Sequence, residues 1–190
     1  MNKRLKLFQY AGGDFYIVKE LLSRINGLCS RNCSFVEIFG GSGYISQNVD
    51  RIKFSNVVYN DIDNKLTTLY KMVKEKPEIL QKILYILPYS RELNKLFTNM
   101  LKENKNLSEI ELAVLTFYVL NSTFFGKYDK GFAFTVKPFR NLSKSYFNKV
   151  DGITEISKLW RNITIENSDF RNVIKNMIEK ARFFMPILLL

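Results

Sequence analysis

Histidine is absent from the 190-residue sequence, and cysteine nearly so: Cys29 and Cys33 are the only two. Without imidazole, the His-dependent nucleophilic triads are excluded and a hydrolytic zinc centre lacks its usual ligands. Two cysteines with no further Cys pair do not make a zinc site, so no metal is expected. The reading of the pair is two reduced thiols in a cytosolic protein. Proline is scarce too. Its four occurrences, Pro77, Pro88, Pro138 and Pro186, include no Pro-Pro pair, and none follows Asp, Asn or Ser. No apolar run reaches the roughly 18 residues of a membrane span. Met1-Asn2-Lys3-Arg4-Leu5 leads into no long apolar core, so neither a membrane segment nor a signal peptide is expected. Any chemistry must rest on carboxylates, backbone groups or a bound cofactor.

Acidic residues are the minority charge, 18 against 29 Lys and Arg, for a net +11 and a pI near 9.6. Such an excess favours a polyanionic partner, because each cation set against a phosphate releases counterions. It would equally suit a ribosomal, RNA-binding or membrane-surface protein. Hydrophobic content of 46% and charged content of 25% are ordinary for a globular chain, here long enough for one core and an insertion.

Along the chain, β-prone Ser34 to Phe39 runs into Gly40-Gly41-Ser42-Gly43, with helix-compatible sequence from Tyr44. A second β-prone run, Phe54 to Tyr59, ends on Asn60-Asp61-Ile62-Asp63, after which Leu66, Leu69, Tyr70 and Val73 recur at helical spacing. With a small helix around Phe15 to Ile25, residues 1–74 read as a βαβα start. From residue 75 to 151 the chain is basic and mostly helical. Ser108 to Glu111 matches a capping box, and Asn121 to Gly131 reads as a polar, aromatic, basic loop. Phe132 to Val136 alternates like a strand. The α/β pattern returns at Ile163-Thr164-Ile165 and closes with a helix from about Arg171 to Lys180. The expectation is an α/β core of 1–74 and 152–190, interrupted by an insertion at 75–151.

Glycines after a buried strand allow a tight turn and close approach of a ligand, and an acid at the end of the next strand is where such folds grip ribose hydroxyls. Gly40, Gly41, Gly43 and Asp61 therefore favour a nucleoside-containing ligand; an Asp that merely opens a helix is the competing reading of Asp61. Further along, five segments in order resemble the adenine-specific DNA methyltransferases of the Dam type. They are Phe8-Gln9-Tyr10-Ala11-Gly12-Gly13, Phe35 to Gly43, Tyr59 to Lys71, Asn121 to Gly126, and Ile165 to Phe170. Together they cover nearly the whole chain.

The resemblance implies a Rossmann-like S-adenosylmethionine-dependent methyltransferase fold with an incomplete sheet and an inserted, mainly helical target-recognition domain. It implies S-adenosylmethionine as cofactor and double-stranded DNA as partner. Tyr10, Gly12 and Gly13 belong to the opening cofactor segment; Gly40, Gly41 and Gly43 take the methionine end, beside Glu37 and Phe39. Asp61 is the ribose acid, Ile62 packs on the adenine, and Asp169 and Phe170 hold that ring. In the insertion, Asn121, Lys127, Tyr128, Lys130, Lys137 and Arg140 are the candidate DNA contacts. Two positions depart from the pattern: Asp14 stands where the family usually has Lys, and Ile38 where it has Pro.

The family's catalytic segment is Asp-Pro-Pro-Tyr, whose Asp and Pro carbonyl accept the protons of a flipped adenine's amine. The sequence contains no such segment. No catalytic residue is therefore assigned, and activity of the chain alone is doubted. The resemblance places the motif near Met185-Pro186-Ile187-Leu188, and a frameshift separating a catalytic half is the expectation, with the apolar tail left as a sticky sheet edge. A non-catalytic DNA-binding module and one half of a split methyltransferase are the alternatives, and an RNA methyltransferase fits Asn121 to Gly126 less well.

Overall fold

The computed structural model describes residues 5–8, 15–103, 106–180 and 186–187. The aromatic and β-branched run before the glycines forms β1 (Cys33–Glu37), and the second forms β2 (Phe54–Asn60). With β3 (Ile163–Glu166) and β4 (Pro186–Ile187) they make a parallel sheet of order β3-β2-β1-β4. The register sets Glu37 opposite Tyr59, Asn60 opposite Glu166 and Val36 opposite Pro186. The chain leaves β1 for β2 and β3 on one side, then lays β4 on the other. That reversal puts the carboxyl end of β1 at the crevice where open parallel sheets take ligands.

The helices are α1 (Phe15–Gly27), α2 (Tyr44–Asn48), α3 (Asn64–Glu75), α4 (Pro77–Ile86), α5 (Arg91–Lys102), α6 (Glu109–Ser122), α7 (Leu142–Asp151), α8 (Ile153–Trp160) and α9 (Phe170–Lys180). Six of them, α3 to α8, lie between β2 and β3. The described residues fall into two compact units. One comprises 15–67, 159–180 and 186–187 and holds the sheet; the other comprises 5–8 and 68–158 and is helical. The cuts fall inside α3 and α8. Among the described residues no helix is long and apolar enough to cross a membrane.

In the sheet unit, Val36, Ile38 and Val58 pack with Val173 of α9 into a buried cluster. Trp160, the single tryptophan, is fully buried against Tyr59 at 5.0 Å between ring centroids, and its indole N–H donates to Gln47 Oε1 at 3.1 Å.

In the helical unit, α6 is buried from Ala113 to Ser122 on every face, as a helix apolar all round must be. Its start is the expected capping box: Ser108 and Glu111 satisfy each other's backbone N–H groups. Around it, Tyr118 packs edge-on against Phe97 and Tyr146 at 5.0 and 5.4 Å. Its hydroxyl donates to the Pro88 carbonyl at 2.7 Å and accepts from Ser90 N–H at 2.8 Å. The phenol thus keeps a polar partner while its ring fills the core.

Two expectations are corrected. Phe132 to Val136 is not a strand: only Phe132 is bridged, to Thr123, while Phe134 and Val136 are exposed, with no neighbouring strand among the described residues to alternate against. Cys29 and Cys33 are not two free thiols but a disulfide, with Cα atoms 6.3 Å apart. The turn between them passes through Asn32 at φ 58°, which brings the two side chains together.

Trp160→Phe removes the donor to Gln47 and part of a fully buried ring. Urea unfolding followed by circular dichroism is expected to show a loss of about 2 kcal/mol. Unchanged stability would contradict this packing.

Candidate functional site

The glycine turn is built by three separate constraints. Gly41 and Gly43 lie in the left-handed region, φ 47° and 61°, where a side chain is strained. Gly40 is fixed by packing, since a Cβ there would overlap the Tyr59 ring. The Tyr59 hydroxyl then donates to the Gly41 carbonyl at 2.9 Å. Intramolecular packing is therefore sufficient to require glycine at position 40.

Asp61, at the end of β2, turns back onto this loop. Its Oδ2 accepts the Gly41 N–H at 2.7 Å, and its Oδ1 accepts the Asp63 N–H at 2.9 Å as the chain enters α3. Asp61 is 9% exposed, whereas its neighbour Ile62 is 68% exposed. Phe39 and Phe170, both partly open to solvent, meet with ring centroids 5.6 Å apart. Asp169 caps the start of α9, its Oδ1 accepting the Arg171 N–H at 2.8 Å, while the Arg171 guanidinium lies 5.0 Å from the Phe170 ring centroid. Tyr10, Gly12 and Gly13 lie outside the described residues, as does Asp14.

Glu37 does not face this opening. It is 4% exposed, and its Oε2 accepts both the backbone N–H and the hydroxyl of Ser46, which pins the start of α2. Burial pushes its carboxyl up to about 7; the two Ser46 donors oppose the shift and the Asp61 charge adds to it.

Asparagines that the sequence reading did not single out tie the strand ends together. Asn60 Nδ2 donates to the carbonyls of Ile38 and Ser168 at 2.9 and 3.1 Å, and its Oδ1 accepts the Ser168 N–H at 2.9 Å. Asn167 Nδ2 donates to the Asp61 and Ile62 carbonyls at 2.7 and 3.1 Å. One side chain thus couples the exits of β1, β2 and β3. The signal was there in the polar Asn60-Asp61 pair closing a β-prone run, but only the acid has a familiar role.

In the helical unit, Lys127, Lys130, Lys137 and Arg140 are exposed, and Tyr128 is half-buried. Asn121 is different: it is buried, donating to the Leu7 and Phe117 carbonyls at 3.1 and 2.9 Å and accepting from Lys149 Nζ at 2.7 Å. Burial lowers the Lys149 ammonium to about 8. Asn121 therefore anchors the segment Leu5 to Phe8 to α6. The loop after α6 is closed by Phe124 N–H to the Gly131 carbonyl at 3.2 Å and Ala133 N–H to the Ser122 carbonyl at 2.8 Å. It exposes Phe125, and Phe139 stands fully open further on, each at positive φ.

A buried strand-end acid thus closes the glycine turn and also sets the entry to α3, with apolar side chains open beside it. The family model for the D12 class of N6 adenine-specific DNA methyltransferases matches residues 10–185. The chain belongs to that family. Its members methylate adenine in DNA and use S-adenosylmethionine as methyl donor. No curated protein matches the chain. Among the described residues no group of three or more Asp, Glu or Cys side chains converges as a metal site.

The residues fit that donor. Each Asp61 oxygen already accepts one N–H and retains a second acceptor position for a ribose hydroxyl. Ile62 and Phe170 offer open apolar surface of the kind an adenine ring covers.

Two changes test this geometry. Asn60→Ala strands two carbonyls and one N–H, and a stability loss of about 2–4 kcal/mol in chemical denaturation is expected. For Glu37, the folded carboxyl titrates near 7 against an ordinary 4.5. Its contribution is fully present below pH 4.5 and is lost as pH rises through 7, on the order of 3 kcal/mol in all. Glu37→Gln is expected to flatten that decline; a parent and variant that fall in parallel would show that burial does not hold the proton.

Proposed function

We propose that this chain binds S-adenosylmethionine at the carboxyl ends of β1, β2 and β3, and that residues 75–151 form the target-recognition domain of a site-specific adenine DNA methyltransferase. The observation that carries the reading is Asp61 on the glycine turn beside the exposed Ile62. Asp61 accepts the ribose hydroxyls. Ile62 and Phe170 cover the adenine, and Asp169 accepts from its amine. The backbone of Phe39 to Gly43 turns round the methionine end, with Glu37 holding α2 behind it. Tyr10, Gly12 and Gly13 are assigned to the same site from the motif they form. The bound cofactor supplies a sulfonium-activated methyl group.

For DNA, the reading rests on Lys127, Tyr128, Lys130, Lys137 and Arg140, with Asn121 positioning the loop from within. The exposed rings of Phe125 and Phe139 add flat apolar surface suited to bases displaced from the stack. The Asp-Pro-Pro-Tyr segment that accepts the adenine amine's protons is not among the 190 residues. Cofactor and DNA are therefore held here without the groups that orient the acceptor amine.

Calorimetric titration of S-adenosylmethionine tests the reading. Saturable binding is expected, weakened at least about tenfold in Asp61→Asn, which keeps one acceptor for the turn but removes the charge. Incubation of the same protein with labelled cofactor and duplex DNA is expected to yield no methylated adenine. Binding unaffected at Asp61 would move the cofactor elsewhere, and methylation by the chain alone would show that another group replaces the missing segment.

A further inference from the structure

A second surface in the helical unit has the character of a binding site. The side of α5 and the closed loop after α6 face each other across a cleft of about 350 Å³. Helical periodicity sets Arg91, Lys95 and Asn99 in one row along α5, and Asn94, Thr98 and Lys102 in the next. Tyr128 to Phe132 make the opposite wall. Four cations, Arg91, Lys95, Lys102 and Lys130, line the cleft against one carboxylate, Asp129, which lies 3.5 Å from Lys130.

Two further features point to an occupant. The Arg91 guanidinium is held over Phe132 and Phe134 at 5.3 and 5.0 Å from their centroids, with the neighbouring Glu92 carboxylate also within its electrostatic reach. The Thr98 hydroxyl, on the cleft wall, is buried and finds no hydrogen-bond partner among the described residues. A buried hydroxyl without a partner costs about 1–3 kcal/mol, which a ligand oxygen can offset.

The spacing identifies the occupant. From Arg91 to Lys102 the cations are strung along about 16 Å of helix, where a free phosphate would need them to converge on one point. Along a strand of DNA, phosphates recur about every 3.4 Å of helix axis, so this span faces several of them. We infer that the cleft between α5 and residues 128–132 is a sequence-independent clamp for the DNA backbone, seated beside the loop that reads the target. The inference rests on the chain being a DNA-binding methyltransferase, and it adds α5, which the motifs do not reach.

The test is fluorescence anisotropy of a labelled short duplex of arbitrary sequence, titrated with the full chain across a salt series. Lys95→Gln/Lys102→Gln is compared with Lys82→Gln/Lys144→Gln, which removes two exposed lysines that do not line the cleft. Each lost phosphate contact lowers the slope of log affinity against log salt by about 0.9, so a drop of about 1.8 is expected in the first variant and none in the second. The loss should be the same for every duplex sequence, as backbone contacts require. Parent-like slopes in the cleft variant overturn the clamp and leave the proposed function standing. Inorganic phosphate binding that is lost in that variant while duplex slopes are unchanged also overturns it, in favour of a small-anion site. No duplex binding by the parent protein removes the DNA reading and the clamp with it.

Discussion

The bond from Gly41 N–H to the Asp61 carboxylate is the contact on which the sheet unit's ligand end depends. A parallel sheet leaves its carboxyl ends as a row of separate loops, and nothing in strand pairing itself fixes where those loops go. Here one acid closes the first loop onto the second strand. Its other oxygen takes the Asp63 N–H and so also sets the entry to α3. The asparagines extend the same arrangement. Asn60 reaches from β2 to the loops after β1 and β3, and Asn167 returns from the β3 loop to the Asp61 and Ile62 carbonyls. Polar backbone groups that would otherwise need water are satisfied internally, so Ile62 and Phe170 can remain open without the loops collapsing over them.

That end of the molecule was legible in the sequence because its constraints are local. A glycine at positive φ, a strand that alternates and an acid at its end all leave a mark within a few residues. The elements around β1, β2 and β3 consequently appear close to where the pattern places them. Asn60 was not legible as a connector, because its partners Ile38 and Ser168 are distant in sequence and an asparagine after a strand has many ordinary uses. Gly40 shows a different limit. Its presence was readable, but not the Tyr59 ring that fills the space a side chain would take. A motif records that a small residue is needed and not what presses on it.

The helical unit was less legible for a related reason. Its central helix is buried on all sides, so α6 carries no amphipathic stripe to announce which neighbour lies where. Only the capping box marked its start. The region after it was misread at Phe132 to Val136, where alternation imitates a strand. Phe134 instead spends its face on Arg91, leaving Val136 in solvent. Asn121 is a motif residue whose side chain is committed within the fold. With its amide committed to Leu7, Phe117 and Lys149, it holds the loop's base and the chain's N-terminal segment, while the following residues carry the exposed cations and rings.

The two buried acids of the sheet unit explain one another's environments. Glu37 ends β1 and Asp61 follows the adjacent β2, both buried, and two carboxylate charges there would repel. The positions are resolved by unequal hydration and unequal partners. Asp61 follows β2, 9% exposed, with two backbone N–H donors. Glu37 is sealed behind it, with Ser46 as its partner and burial favouring the neutral form near pH 7. The Asp61 charge in turn helps raise the Glu37 carboxyl, so the two acids are coupled across neighbouring strand ends. A carboxyl at position 37, unlike an amide, therefore brings a second charge into this core as pH rises through about 7.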